Sequence, residues 1–235
     1  MSTFAIKIVA LATMILDHTG FVFDIGQLRY IGRIAFPLYA FLIGEGCVRT
    51  SNIRRYLSRL LVFAFISEIP FDLLRFAGQG KYMNDFSNIV DFSAQNVFFT
   101  LFFGALAIAV YLKAKERVGE FFALPVGMLS TVICAYAAQF IRSDYGFIGV
   151  VIIAFPAIAA EFCTAQRSKI FVKITAVALC LVYIYGFSPP FMWASFISLI
   201  FMLSYNGKKG KPLRWVFYLA YPAHMIILFF IWLYL

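Results

Sequence analysis

The sequence predicts an all-α fold, a polytopic bundle of transmembrane helices, and three observations predict it. Of 235 residues, 63% are hydrophobic and 13% are charged, where soluble domains run near 45–50% apolar and about 25% charged. The apolar residues form long continuous stretches, with a mean hydropathy of +0.88, and not the ~10-residue alternating segments of an outer-membrane barrel. The basic residues gather in every second connection between those stretches.

About nine spans follow in order, at 4–23, 31–48, 56–76, 95–112, 121–141, 146–162, 170–187, 189–205 and 215–234. Each is close to the roughly 17–25 residues that cross a bilayer. Span one starts directly after Met1-Ser2-Thr3, lacks a basic leader region and carries Asp17-His18 where a signal peptide is apolar, so it reads as a retained helix. Span two is interrupted by Arg33 and Glu45, and span three by Glu68 and Asp72. The connection 77–94 is long and polar, with Lys81, Asp85 and Asp91, and suits a lid or a substrate-contacting loop. Span four opens on Asn96 and span six follows Tyr145. Span eight is short and opens on Pro189-Pro190, which suits a tilted or partial crossing. Span nine carries Tyr218, Tyr221 and His224 at a spacing of three, one stripe of a helix. With no repeat, low-complexity stretch or linker, residues 1–235 read as a single domain.

Loop charge sets the orientation. Arg49, Arg54, Arg55 and Arg59 follow span two; Lys113, Lys115 and Arg117 follow span four; Arg167, Lys169 and Lys173 follow span six; Lys208, Lys209, Lys211 and Arg214 follow span eight. The alternate connections are poor in Lys and Arg. The positive-inside rule then predicts a cytoplasmic N-terminus and an external C-terminus in a multi-pass membrane protein. The same rule accounts for the net charge of +9 with no nucleic-acid partner. Cys47, Cys134, Cys163 and Cys180 stand singly in or beside apolar stretches, as small hydrophobes and not as a disulfide framework or metal site.

The ionisable residues inside the spans carry the functional signal. A carboxylate at mid-bilayer costs roughly 2.5–3.5 kcal/mol even on lenient insertion scales, so such groups are paired or used. Asp17-His18, Arg33, Glu68, Asp72, Asn96 and Tyr145 all fall near the external ends of their spans and predict one polar chamber opening outward. Pro70 between Glu68 and Asp72, Pro37 beside Arg33 and Pro222 beside His224 each free a backbone carbonyl, which predicts a kink lining a cavity. Glu45, flanked by Gly44 and Gly46, stands nearer the cytoplasmic side. In that chamber His18 suits a general base, oriented by Asp17, Glu68 or Asp72, with Arg33, Asn96, Tyr145, Glu45 and His224 as substrate contacts. No serine sits in a nucleophile elbow, which favours direct acyl transfer. The loop 204–214, with Asn206, Lys208, Lys209, Lys211 and Arg214, suits phosphates of an anionic cofactor. Plainer readings stand beside these: interfacial solvation for Asp17-His18, salt bridges for Glu68 and Asp72, an i,i+4 pair with Arg49 for Glu45, a snorkelling anchor for Arg75 and a pure topology signal for the basic loop.

The stretches I-K-I-V-A-L-A-T-M-I-L-D-H-T-G (6–20), L-R-Y-I-G-R-I-A-F-P-L-Y-A-F-L-I-G-E-G (28–46) and Y-L-S-R-L-L-V-F-A-F-I-S-E-I-P-F-D-L (56–73) resemble the TraX family. So do N-V-F-F-T-L (96–101), Y-G-F-I-G-V (145–150), Y-N-G-K-K-G (205–210) and Y-P-A-H (221–224), in order along nearly the whole chain. The resemblance implies an integral-membrane acetyltransferase of the bacterial cytoplasmic membrane with acetyl-CoA as donor, whose founding member is associated with N-terminal acetylation of conjugative pilin; no metal is expected from the residues. It leaves the acceptor open: pilin or another peptide amine, a glycan or a membrane lipid. The rival class is a proton-coupled small-molecule transporter using the same carboxylates and histidines; the absence of matching halves in the hydropathy pattern counts against it.

Overall fold

Helix breaks in this chain occur where backbone hydrogen bonding is cheapest to interrupt. Proline has no N–H, but the first four N–H groups of any helix are unpaired within it, so a proline is tolerated in a first turn and disruptive further in. The computed structural model, which describes residues 1–79, 90–185, 189–211 and 213–235, uses this rule twice. Pro37 is the third residue of α3 (Ala35–Arg49), and Pro70 is the third residue of α5 (Glu68–Gly78). The kinks predicted at Pro37 and Pro70 are therefore new helix starts, whereas Pro222 lies inside α10 (Arg214–Tyr234) with no helix break. Span two becomes α2 (Gly26–Gly32) followed by α3, and span three becomes α4 (Ile53–Ile66) followed by α5. Glu68 opens α5, where a negative side chain complements the positive end of the helix dipole.

The other helices among the described residues are α1 (Thr3–Val22), α6 (Val97–Phe140), α7 (Gly146–Ala160), α8 (Gln166–Tyr185), α9 (Pro189–Leu203) and α10 (Arg214–Tyr234). The protein is all-α, and among the described residues five helical segments are long and apolar enough to cross a membrane: 3–22, 26–49, 97–140, 167–185 and 215–234. It is an integral membrane protein. The 44-residue α6 is two arms joined at Gly119, whose φ of 80° lies in the region that favours glycine. Ser130 Oγ donates to the Ala107 carbonyl at 3.2 Å, although 23 residues of straight helix would hold them about 35 Å apart. The chain therefore doubles back at Gly119, and the arms correspond to the expected spans four and five. Gly127 lets the second arm close on the Tyr111 ring of the first.

The described residues gather into two compact units. The first takes 1–38, 65–94 and 188–235, and the second takes 39–64 and 95–187. In the first, α1 packs on α2, α5 and α10, α5 packs on α10, and α2 packs on α9. Phe4 meets Phe217 and His18 meets His224, so α1 and α10 ascend in the same sense. The ring of Phe21 lies against Gly78, joining the last turns of α1 and α5. In the second unit, α7 packs between the α6 arms and α8. Gly104 admits Ile153 of α7, and Lys115 at the end of the first α6 arm binds Glu120 at 3.0 Å and Glu161 at 3.1 Å.

Two glycines of the seven-residue α2 give a paired test. A Cβ on Gly32 would lie 2.6 Å from Asp17 Cγ, whereas one on Gly26 meets nothing within 4 Å. Gly32→Ala is expected to cost about 1–3 kcal/mol through overpacking. Gly26→Ala is expected to be neutral or to stabilise by up to about 1 kcal/mol through helix propensity. Thermal melts of the two variants in detergent check this; equal melting temperatures would contradict the close α1–α2 approach.

Candidate functional site

Asp17 and His18 are neighbours in the last third of α1, so their side chains point about 100° apart and meet different partners. Asp17 Oδ1 accepts from Arg33 Nη2 at 2.5 Å, and Arg29 Nε lies 3.8 Å from the same oxygen. Arg29 and Arg33 are one turn apart, and Arg33 Nε donates to the Arg29 carbonyl at 3.2 Å. Gly32 brings the end of α2 onto Asp17, which makes this clamp short enough to form. Arg33 and Asp17 are 14% and 17% exposed in their side chains, and this burial makes their mutual neutralisation matter. The Arg33 guanidinium also lies 5.9 Å from the ring centre of Phe191 on α9, which fixes its plane.

His18 turns to α10. Its Nδ1 lies 2.6 Å from His224 Nε2, and His224 Nδ1 donates to the Ala220 carbonyl at 2.8 Å. Tyr221, itself 5% exposed, sets its ring edge-on to both imidazoles, at 6.3 Å from His18 and 5.8 Å from His224. Arg33 and Arg29 lie close enough to act on His18 electrostatically. The hydrogen-bonding neighbour of His18 is thus a second histidine, and Asp17, expected as an orienter, is engaged by the arginine pair.

The other two carboxylates expected at the site lie on α5 of the same unit. Asp72 is 3% exposed; its Oδ2 accepts from the Asp91 backbone N–H at 3.2 Å, and its Oδ1 is buried without a hydrogen bond among the described residues. Arg75 pairs with Asp91 at 3.2 Å and donates to Ser93 Oγ at 3.3 Å. The expected interfacial anchor is therefore a clasp that returns residues 91–93 to α5. Glu68 is half-buried one turn earlier. Lys81 and Asp85 of the expected lid lie outside the described residues.

Three of the expected substrate contacts belong to the second unit. Asn96 is fully buried and caps α6: its Oδ1 accepts from Phe98 N at 3.0 Å, and its Nδ2 donates to the Ala64 carbonyl at 2.7 Å. That carbonyl is freed because α4 stops before its next turn, so the cap satisfies two helix ends at once. Tyr145, in the left-handed region at φ 63°, precedes α7. Both residues flank one isolated bridge, Gln95 to Ser143, so they do share one end of this unit. Glu45 and Lys173 are each 7% exposed and form a buried ion pair, with Arg49 at 2.9 Å on the other carboxylate oxygen. Lys173 was expected among the loop cations; it lies inside α8 as a buried counter-ion.

The basic loop closes the opposite end of α1. Thr3 N donates to the Lys208 carbonyl at 2.8 Å and Phe4 N to the Lys209 carbonyl at 3.2 Å. Ala5 N donates to Ser2 Oγ and Ile6 N to the Ser2 carbonyl, so all four first-turn donors of α1 are met. Asn206 N donates to the Met1 carbonyl at 2.9 Å. Gly210, at φ 73°, passes so near Phe4 and Ser2 that a Cβ there would collide with both. Asn206, Lys208, Lys209 and Lys211 keep their side chains exposed. The Arg214 side chain lies outside the described residues.

The sequence reading missed Arg29 as the second arm of the Asp17 clamp, Lys173 as the partner of Glu45, and the pairing of His18 with His224. Signals existed: Arg29 and Arg33 stand four apart, and the chain has only two histidines, each interrupting an apolar stretch.

The family model described as TraX protein matches residues 2–232. The chain belongs to the TraX family. It is 28% identical over 250 residues to the probable fimbrial assembly protein FimC, serogroup H1, of Dichelobacter nodosus, across 97% of this chain and 94% of that protein. No solved structure matches it.

The Glu45–Lys173 pair yields a test of pairing. Removing one partner of a buried ion pair costs about 3–5 kcal/mol, and replacing both by apolar residues can be nearly neutral. Glu45→Leu and Lys173→Met are each expected to lower stability by that amount, and the double variant to recover most of it. Denaturation of the four proteins in detergent measures the coupling; additive losses would show that the two side chains do not depend on each other.

Proposed function

We propose that this TraX-family protein is an acyltransferase of the bacterial cytoplasmic membrane that moves an acetyl group from cytosolic acetyl-CoA to an amine or hydroxyl acceptor. The observation that carries the reading is the setting of His18: a histidine on an apolar helix, hydrogen-bonded through Nδ1 to His224 and held near Arg33. Its Nε2 takes the proton of the attacking N–H or O–H. The acceptor attacks the thioester carbonyl, the C–S bond breaks, and the thiol leaves with a proton returned from His18. The guanidinium of Arg33, held by Asp17 and the Arg29 carbonyl, supplies positive charge for the negative charge that develops on the carbonyl oxygen.

The topology that fits this chemistry has about nine spans, the N-terminus in the cytoplasm and the C-terminus outside. Parallel α1 and α10 agree with spans one and nine both running outward. The exposed Lys208, Lys209 and Lys211 and Asn206 then stand on the cytoplasmic side, on a loop held rigid by its bonds to α1, where their ammonium and amide groups would take the phosphates of the donor. From Ser2 to His18 is about 24 Å along α1 at 1.5 Å per residue. A thioester on a long flexible arm, its phosphates at the loop, suits that separation. The relative's name, a probable fimbrial assembly protein, favours a pilin or other surface peptide as acceptor over a glycan or lipid.

The test uses the full chain in inside-out membrane vesicles with acetyl-labelled acetyl-CoA. Label is expected to move into the membrane fraction, and His18→Gln to slow it on the order of 10²–10⁴-fold at unchanged acetyl-CoA affinity. The triple variant Lys208→Ala, Lys209→Ala, Lys211→Ala is expected to weaken acetyl-CoA affinity and spare the rate at saturation. Proton-coupled solute flux with no acetyl-CoA binding would replace the acyltransferase by a transporter.

A further inference from the structure

The two imidazoles form a directed pair, not a casual contact. Their planes are parallel to within 9°, and their centroids are 4.9 Å apart. That separation exceeds the Nδ1···Nε2 distance of 2.6 Å by about two imidazole ring radii. The rings are therefore edge to edge in one plane, with the two nitrogens on the line between centres. This is the arrangement in which an in-plane N–H meets an in-plane lone pair.

The direction of the bond follows from its far end. A carbonyl oxygen only accepts, so His224 Nδ1, 2.8 Å from the Ala220 carbonyl, carries hydrogen. In a neutral His224 the other nitrogen, Nε2, must then be bare. Nε2 faces His18 Nδ1, which must therefore carry hydrogen and donate. In a neutral His18 that leaves Nε2 as the bare nitrogen. One backbone carbonyl thus decides, two rings away, which nitrogen of His18 is basic. Tyr221 edge-on to both rings holds them in the common plane. Arg33 and Arg29, the cations that act electrostatically on His18, are already engaged by Asp17.

We infer that His224 is a positioning residue for acyl transfer: through the Ala220 carbonyl it locks His18 in the Nδ1–H tautomer, so that His18 Nε2 is the nitrogen presented to the acceptor. The inference rests on the reading of His18 as the base and assigns His224 a role distinct from direct substrate contact. It also fixes the path of the proton. When His18 Nε2 takes the acceptor's proton, the Nδ1 hydrogen shifts toward His224 Nε2, and the positive charge spreads over two rings. Return of that hydrogen restores His18 Nδ1–H as Nε2 delivers its proton to the leaving thiolate, and nothing is consumed.

The experiment exploits the fact that the chain has two histidines. Protein labelled with ring-¹⁵N histidine and reconstituted in bilayers gives four nitrogen resonances, assigned by the single variants. Both rings are expected to show a protonated Nδ1 and a bare Nε2, with a coupling across the bond from His18 Nδ1 to His224 Nε2. His224→Gln, whose amide oxygen can accept in place of Nε2, is expected to keep the His18 tautomer and to keep turnover within about threefold. His224→Leu is expected to shift His18 toward Nε2–H and lower kcat for acetyl transfer on the order of 10²–10⁴-fold with KM unchanged. A protonated Nε2 on His18 in the unaltered protein would overturn the inference, as would full turnover in His224→Leu. The resonances decide the tautomer whether or not acetyl transfer is found, so failure of the acyltransferase reading shows separately, as unchanged label transfer in His18→Gln.

Discussion

The constraint behind this structure is that an ionisable group on an apolar helix needs its partner supplied by the protein. Lipid offers no hydrogen bond and no counter-ion, and the lone charge costs several kcal/mol. The chain answers with local closures. Asp17 is taken by Arg33 and Arg29 from the next helix, and Glu45 by Lys173 and Arg49. Each closure dictates a close helix approach, and small residues permit it: Gly32 lies on Asp17, and Gly44 beside Glu45 meets Ala157 of α7. The positions of the glycines are thus consequences of the positions of the charges.

The same constraint governs backbone groups. A helix that ends inside an apolar region exposes carbonyls, and the structure shows who receives them. The Ala64 carbonyl goes to Asn96, and the first-turn donors of α1 go to the carbonyls of Lys208 and Lys209 and to Ser2. Asn96 is therefore used at both ends of its amide by the fold. A residue so occupied contributes order to the site's surroundings and is a poor free donor for a substrate. His18 differs, because its Nδ1 is used and its Nε2 is what the pair leaves over.

Helix content and the positions of the apolar segments were legible in the sequence because length, hydropathy and loop charge are local quantities. Each expected span coincides with one helix, with two successive helices, or with one arm of α6. The breaks at 33–34 and at Ser67 were half legible. Proline marked their neighbourhood, but only the register of Pro37 and Pro70 in the first turn distinguishes a restart from a kink. The ionisable residues inside the apolar stretches were legible one by one, and their pairings were not. Glu68 and Asp72 stand four apart on one face, as periodicity requires. That Asp17 would choose Arg33, and His18 would choose His224, depends on which helices pack, which no spacing encodes. Lys173 shows the limit most clearly. By composition it belongs to a basic connection, and only the register of α8 against α3 turns it inward to Glu45.

The two ends of α1 impose a joint condition on the first unit. At its start, the loop before α10 is bonded to residues 1–4. Near its end, His18 is bonded to His224 of α10. Two attachment points about 24 Å apart on one helix leave α10 little freedom to slide or rotate against α1. A single contact would allow the imidazoles to lose their common plane, and an in-plane hydrogen bond weakens steeply with misalignment. The loop–helix bonds at the N-terminus therefore support the geometry of the histidine pair at a distance. Rigid placement of this kind is what a site needs when its function depends on which nitrogen carries a proton.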